Sequence, residues 1–273
     1  MSNAVEMRPM ARPAAPRLAA LPLPTLRRLL APALLLVLWQ VVTLLGIFNR
    51  SQLPGPLDVL ATTWELARTN QLSGHIGASL LRVAWGFALG GLLAGAVGLA
   101  VGLSRVAEDL LAPTLNAIRA IPSLAWVPLL VLWMGVDEGP KVTLVAIGAF
   151  FPVYTNLVAG IRQIDRKLVE VGYAYGLRGL ELAREVMLPA SLPALLTGLR
   201  IGLAQSWLFL VAAELIAASR GLGFLLIDGQ NSSRADIIVM SIVLLALLGK
   251  TSDWLLLRLE RRLLRWTDTF RGH

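Results

Sequence analysis

Apolar residues in this chain gather into runs of about twenty, broken by short polar stretches, with no strict alternation. Six runs stand out: Leu29 to Phe48, Ile76 to Leu103, Pro113 to Gly135, Val142 to Gly160, Pro193 to Ala217 and Ile237 to Leu257. In hydrocarbon a segment must satisfy its own backbone amides, so each run reads as a spanning helix. The third carries Pro122 and Pro128, which should kink or break it. With 56% hydrophobic and 15% charged residues and a mean hydropathy of +0.68, a soluble domain is excluded. So is an outer-membrane barrel, which needs alternation. The expected fold class is an all-α membrane protein of about six transmembrane helices.

Lys and Arg set the orientation. With the N-terminus inside, the cytoplasmic side collects Arg8, Arg12, Arg17, Arg27, Arg28, Arg105, Arg119, Arg162, Arg166, Lys167, Arg178, Arg184 and the C-terminal Arg258, Arg261, Arg262, Arg265 and Arg271. The other side keeps Arg50, Arg68, Arg82, Lys141, Arg220 and Arg234. Both termini are therefore expected inside. The net charge of +8 is topological, and no nucleic-acid partner is expected. There is no Cys, and His75 and His273 are too isolated for a metal cluster. Residues 1–26 are rich in Pro, Ala and Arg and are expected to form a disordered cytoplasmic tail. Residues 27–266 would be the transmembrane domain and 267–273 a C-terminal tail. The first apolar run lacks a following small-x-small site and reads as a retained anchor.

A charged island interrupts this apolar sequence between the fourth and fifth runs, from Ile161 to Pro189. Asp165, Arg166 and Lys167 open a helically spaced segment from Leu168 to Ala174. Gly176 then stands where a left-handed or closely approached backbone is plausible. A second amphipathic stretch, Leu180 to Met187, is closed by Leu188 and Pro189. Two short helices with a bend are expected, the turn from Tyr173 to Leu177 protruding toward a partner. Small residues Gly172, Ala174 and Gly176 permit close approach, and Glu170 can pair with a basic group or cap a helix. The plainer reading is a solvated loop with a surface Glu and a C-capping Gly.

The spacing E-x5-G-x9-V-x-L-P, from Glu170 through Gly176, Val186 and Leu188 to Pro189, resembles the cytoplasmic loop with which permease subunits of bacterial ATP-driven (ABC) importers dock onto a separate ATPase. The likeness continues through Arg119-Ala120-Ile121-Pro122, Leu132-Trp133-Met134-Gly135-Val136-Asp137-Glu138, Phe151-Pro152, Gly160 to Asp165, Ala213-Glu214, Gly221-Leu222-Gly223 and Ala246 to Lys250. It covers Leu53 to Trp266 and is greatest for permeases of aliphatic sulfonate importers. Taurine, nitrate and pyrimidine-precursor permeases share much of it. One departure is Val171-Gly172, where the wider family favours two alanines.

The resemblance implies a type I ABC importer permease in the bacterial inner membrane, pairing with a second copy of itself. Two ATPase subunits would sit inside and a solute-binding protein outside. Glu170, Gly172, Tyr173, Ala174, Tyr175, Gly176, Leu177, Leu188 and Pro189 would form the ATPase-docking loop. ATP and Mg would belong to the ATPase, leaving this chain without cofactor or catalytic residues. The implied cargo is an aliphatic sulfonate, with taurine, nitrate or a thiamine-precursor pyrimidine as alternatives.

Other features carry duller meanings. Gly249-Lys250-Thr251 ends like a phosphate-binding loop, but the position five before Gly249 is Leu244 and the segment is an apolar helix. Gly86, Gly90, Gly91, Gly95, Gly98 and Gly102 in the second run, with Gly198, Gly202 and Ser206 in the fifth, favour close helix packing over pore lining. Gln205, Ser206 and Trp207 put polar and aromatic groups at mid-membrane and make the fifth run the better pathway candidate. Glu214, followed by Arg220 and Gly221-Leu222-Gly223, is either part of an outer gate or an interfacial charge pair. No acid lies at the centre of a run, which argues against an ion-coupled carrier.

Overall fold

The computed structural model describes residues 23–49 and 51–266. Most of the expected tail, Arg50 and His273 lie outside the described residues. The chain divides at Phe48 and Asn49 into two compact units.

The first unit holds α1 (Leu23–Leu44), with Pro24 in its opening turn, where the missing N–H costs nothing. The helix therefore starts inside the segment expected as a tail. Among the described residues its apolar part is Leu30–Leu44.

In the second unit, α2 (Pro56–Arg68) starts with Pro56 at its first position and Asp58 accepting from the Gly55 N–H at 3.0 Å. No apolar run announced this helix. It leads to α3 (Gln71–Leu103).

The expected third span is broken. α4 (Arg105–Ala120) ends at Ile121, which Pro122 forces out of the helical region to φ −74°, ψ 126°. A short 3-10 turn, Ser123–Ala125, leads to α5 (Trp126–Met134), and the two halves bend by 81°. Pro128 falls in the first turn of α5, where it is tolerated. α6 (Glu138–Arg162) runs on through Pro152.

The island folds as α7 (Arg166–Ala174) and α8 (Gly179–Leu182). A π-helical turn, Ala183–Met187, joins α8 to α9 (Leu188–Ala217). The widened turn has a local cause: Pro189 lacks an N–H, and its ring crowds the carbonyl four residues back. Two helices follow, α10 (Leu222–Asn231) and α11 (Ala235–Leu263). Among the described residues four helices are long and apolar enough to span, or five counting the bent pair.

α6 forms the axis of this unit, and small residues set its neighbours. Along α3, a Cβ on Gly86 would meet Val145 at 2.5 Å, one on Gly90 would strike the Ala146 carbonyl, and one on Gly98 would reach Leu157 at 3.0 Å. Rising numbers on both sides make α3 and α6 parallel. On the other flank Gly202 abuts Ala149 and Gly198 abuts Pro152 and Val153, so α9 is antiparallel to α6. Such contacts replace the hydrophobic drive, which is absent between helices in lipid. Glycine here is a packing residue, as expected from its spacing.

Candidate functional site

The loop Arg166 to Pro189 is a built element. Asp165 caps α7 by accepting from the Lys167 N–H at 2.9 Å. At the other end Gly176 takes φ +83°, its N–H donates to Tyr173 O at 2.9 Å, and the Leu177 N–H donates to Gly172 O at 3.0 Å. That bond pair is a Schellman close, and its left-handed residue favours glycine. Gly172 is buried, and a Cβ there would meet Leu182 at 2.5 Å and Val186 at 3.3 Å. It lets α7 lie against the second limb.

The rest of the loop faces outward. Tyr173 is 56% and Tyr175 84% exposed, Leu180 beside them 82%. Ala174, Gly176 and Pro189 are also exposed, Leu188 is 39% exposed, and Leu177 is half-buried. Glu170 is exposed and accepts from Arg166 Nε at 2.9 Å, an i,i+4 pair worth little in solvent. An open cleft of about 420 Å³ lies between the limbs, lined by Leu103, Val169, Tyr173, Leu180, Leu182 and Met187. Exposed aromatic and aliphatic groups on a rigid bend suit a grip for another protein.

Glu214 sits at the far end of α9, 26 residues and about 39 Å beyond Leu188. Its carboxylate is buried, at 1% exposure, and accepts from Ser79 Oγ at 2.8 Å, Arg82 Nη1 at 2.7 Å and the Gly223 N–H at 2.8 Å. Arg82 also donates to the Arg220 carbonyl at 2.6 Å and forks onto Glu138 at 2.6 and 2.7 Å. Lys141 reaches Glu138 at 3.2 Å. Ser79 accepts from the Leu222 N–H at 2.9 Å, and His75 Nδ1 from the Gly221 N–H at 3.1 Å.

The partner of Glu214 is thus Arg82, whereas Arg220 contributes its backbone. Gly221, at φ +130°, has no room for a Cβ against the Glu214 carboxyl, and a Cβ on Gly223 would stand 2.6 Å from Glu214 Cβ. This explains the Gly-Leu-Gly triplet: the turn folds around a buried anion. Among the described residues no buried side-chain nitrogen or oxygen lacks a partner. Ser79, Arg82, Glu138 and Lys141 escaped the sequence reading as a set. Two cations inside apolar helices were the available signal, since such charges pair.

The mid-helix candidates separate. Ser206 is fully buried and reaches the Val145 carbonyl at 3.5 Å. Trp207 is buried beside Val83, Leu203 and Leu210 and donates to Ser252 Oγ at 2.9 Å. Both pack α9 against α6 and α11, and only Gln205 is partly open.

Residues 86–265 match the family described as "Binding-protein-dependent transport system inner membrane component". The chain belongs to this family. The match takes in α3 from Gly86 onward, α6, α9 and the whole of the loop. This permease is a multi-pass inner-membrane protein. It is 39% identical over 247 residues, covering 90% of each chain, to "Putative aliphatic sulfonates transport permease protein SsuC" of Bacillus subtilis (strain 168). To the protein of the same description in Escherichia coli (strain K12) it is 40% identical over 239 residues, 88% of this chain and 91% of that one. Its fold is that of a chain in the inward-facing MetNI methionine ABC transporter, with a TM-score of 0.62 at 20% identity over 71% of this chain and 96% of that one. The all-α, type I ABC permease fold expected from the sequence is the fold found.

Proposed function

We propose that this permease is the translocation subunit of an ATP-driven importer for aliphatic sulfonates, energised at the loop Arg166 to Pro189 by a separate ATPase. One observation carries the coupling reading: the apolar helices deliver a capped, glycine-closed bend with Tyr173, Tyr175 and Leu180 exposed at one end of the bundle. Tyr175, Gly176 and Leu177 form its tip, Gly172 holds its limbs together, and Glu170 offers a carboxylate on its outer face. ATP and Mg bind the ATPase, and this chain supplies no catalytic group.

Both termini lie inside in this account, so the loop is cytosolic and the Glu214 end meets the solute-binding protein. A second copy completes the pathway. Closure of the ATPase dimer draws the two loops together and biases the permeases between inward-facing and outward-facing states. The likeness to two aliphatic sulfonate permeases over nine-tenths of the chain supports the cargo.

Two measurements test this. A deletion strain should fail to grow on alkanesulfonates as sole sulfur source, and unimpaired growth on all of them removes the sulfonate reading. Taurine, nitrate or a pyrimidine becomes the cargo if only that uptake is lost. Separately, Glu170→Lys should insert normally yet lose uptake and ATPase co-purification. Normal uptake at wild-type abundance would defeat the docking role.

A further inference from the structure

The last turns of α11 and the residues just past them present charge that no described residue neutralises. Arg258, Arg261, Arg262 and Arg265 are exposed and make no ion pair with a described residue, while the acid among them, Glu260, turns away to Arg200 on α9 at 3.5 Å. Leu247, Lys250, Trp254, Arg258 and Arg261 follow at spacings of three and four, so they share one face, and Arg265 follows just past the helix end. Along it polarity changes in order: Val243 and Leu247 are exposed and apolar, then come Lys250 and Trp254, then the arginines. The Arg258 guanidinium lies 3.6 Å from the Trp254 ring centroid, which holds it along the helix.

Length explains where this face sits. α11 has 29 residues, hence about 43 Å, against about 30 Å of hydrocarbon. The surplus of about 13 Å is some nine residues, and starting from Ala235 it places the turns after Trp254 at headgroup depth. α11 runs antiparallel to α9, since Arg200 meets Asp253 and Glu260 while Trp207 meets Ser252. The arginines are therefore at the same end as the loop Arg166 to Pro189.

We propose that this face of α11, with the turn just past its end, is a seat for an anionic phospholipid in the leaflet on the loop side, its phosphate held by Arg258, Arg261, Arg262 and Arg265. An occupant must be anionic at one end and a long apolar chain at the other, because the stripe continues past Trp254 onto Leu247 and Val243. A soluble ATPase matches the first half alone. The seat is independent of the cargo and of the docking loop.

The test uses the full chain, purified in mild detergent from an equal mixture of phosphatidylglycerol and phosphatidylcholine, with retained lipid counted by native mass spectrometry. Wild type should retain phosphatidylglycerol over phosphatidylcholine by about tenfold, with salt eroding the preference. R258Q/R261Q/R262Q/R265Q should bring the ratio to about parity, and the four-lysine counterpart should restore most of it. Equal retention of both lipids by wild type overturns the proposal, as does an unchanged ratio in the glutamine variant. If that variant does not accumulate, the wild-type salt series decides, and a salt-insensitive ratio overturns it. Loss of a co-purifying ATPase with an unchanged lipid ratio would assign the stripe to protein docking instead.

Discussion

Replacing Glu214 by Gln removes the anion on which the Glu214 end is built while keeping its shape. The carboxylate holds three donors from two helices: Ser79 and Arg82 on α3 and the Gly223 N–H in the first turn of α10. An amide has one acceptor oxygen, so its NH₂ must oppose at least one of those donors. Breaking a buried ion pair costs about 3–5 kcal/mol. Arg82 keeps its fork onto Glu138, which places the expected loss near the lower figure, about 3 kcal/mol. Each single variant strands a partner, whereas Arg82→Met with Glu214→Leu removes both charges. The double variant should therefore be less destabilised than the sum of the single changes by more than about 1 kcal/mol. SDS titration in mixed micelles, followed by fluorescence of the eight Trp residues, reads this directly. Unfolding of Glu214→Gln at the wild-type SDS fraction, or strict additivity in the cycle, would refute the claim that the network holds this end together.

Other consequences are simpler to state. Gly90→Val puts a side chain into the Ala146 carbonyl of the neighbouring helix and should part α3 from α6, seen as a fall in membrane abundance; normal abundance would contradict the packing. Gly172→Leu should leave insertion intact but spread α7 from the second limb at a cost of about 1–3 kcal/mol, lowering ATPase co-purification, and unaltered co-purification would count against a rigid loop. Trp207→Phe loses the bond to Ser252 and should cost about 1 kcal/mol of stability with uptake preserved. Lost uptake at normal stability would return Trp207 to the pathway.

The parts of this permease legible in its sequence were those governed by local rules. Apolar length gave α3, α6, α9 and α11, glycine spacing gave their contacts, and the polar island gave the two-limbed loop with Gly176 at its bend. Pro122 was seen as a disruption, but the 81° turn it allows follows from Ile121 being driven to extended geometry, which a run-length reading averages away. α2 and α10 are too short and mixed to register as runs.

The charged end was hidden for a different reason. Arg82, Glu138, Lys141 and Glu214 are scattered over 132 positions and become one network through the parallel course of α3 and α6 and the return of α9. Ser206 and Trp207 looked like pathway residues because polarity at mid-membrane is costly, yet the same cost is met by turning them into the bundle. Polarity in a span signals the need for a partner, and the partner can be a neighbouring helix.

The most direct test of energy transfer through the loop replaces the most exposed tip residue, Tyr175→Cys, and cross-links it to the ATPase subunit in inside-out vesicles. Energy transfer through the loop requires a cross-linked product of the two subunits, a thiol reachable from the cytosolic face, and loss of uptake once the link forms. A thiol labelled only from the periplasmic side, or a tip that links to nothing while uptake proceeds, would contradict it.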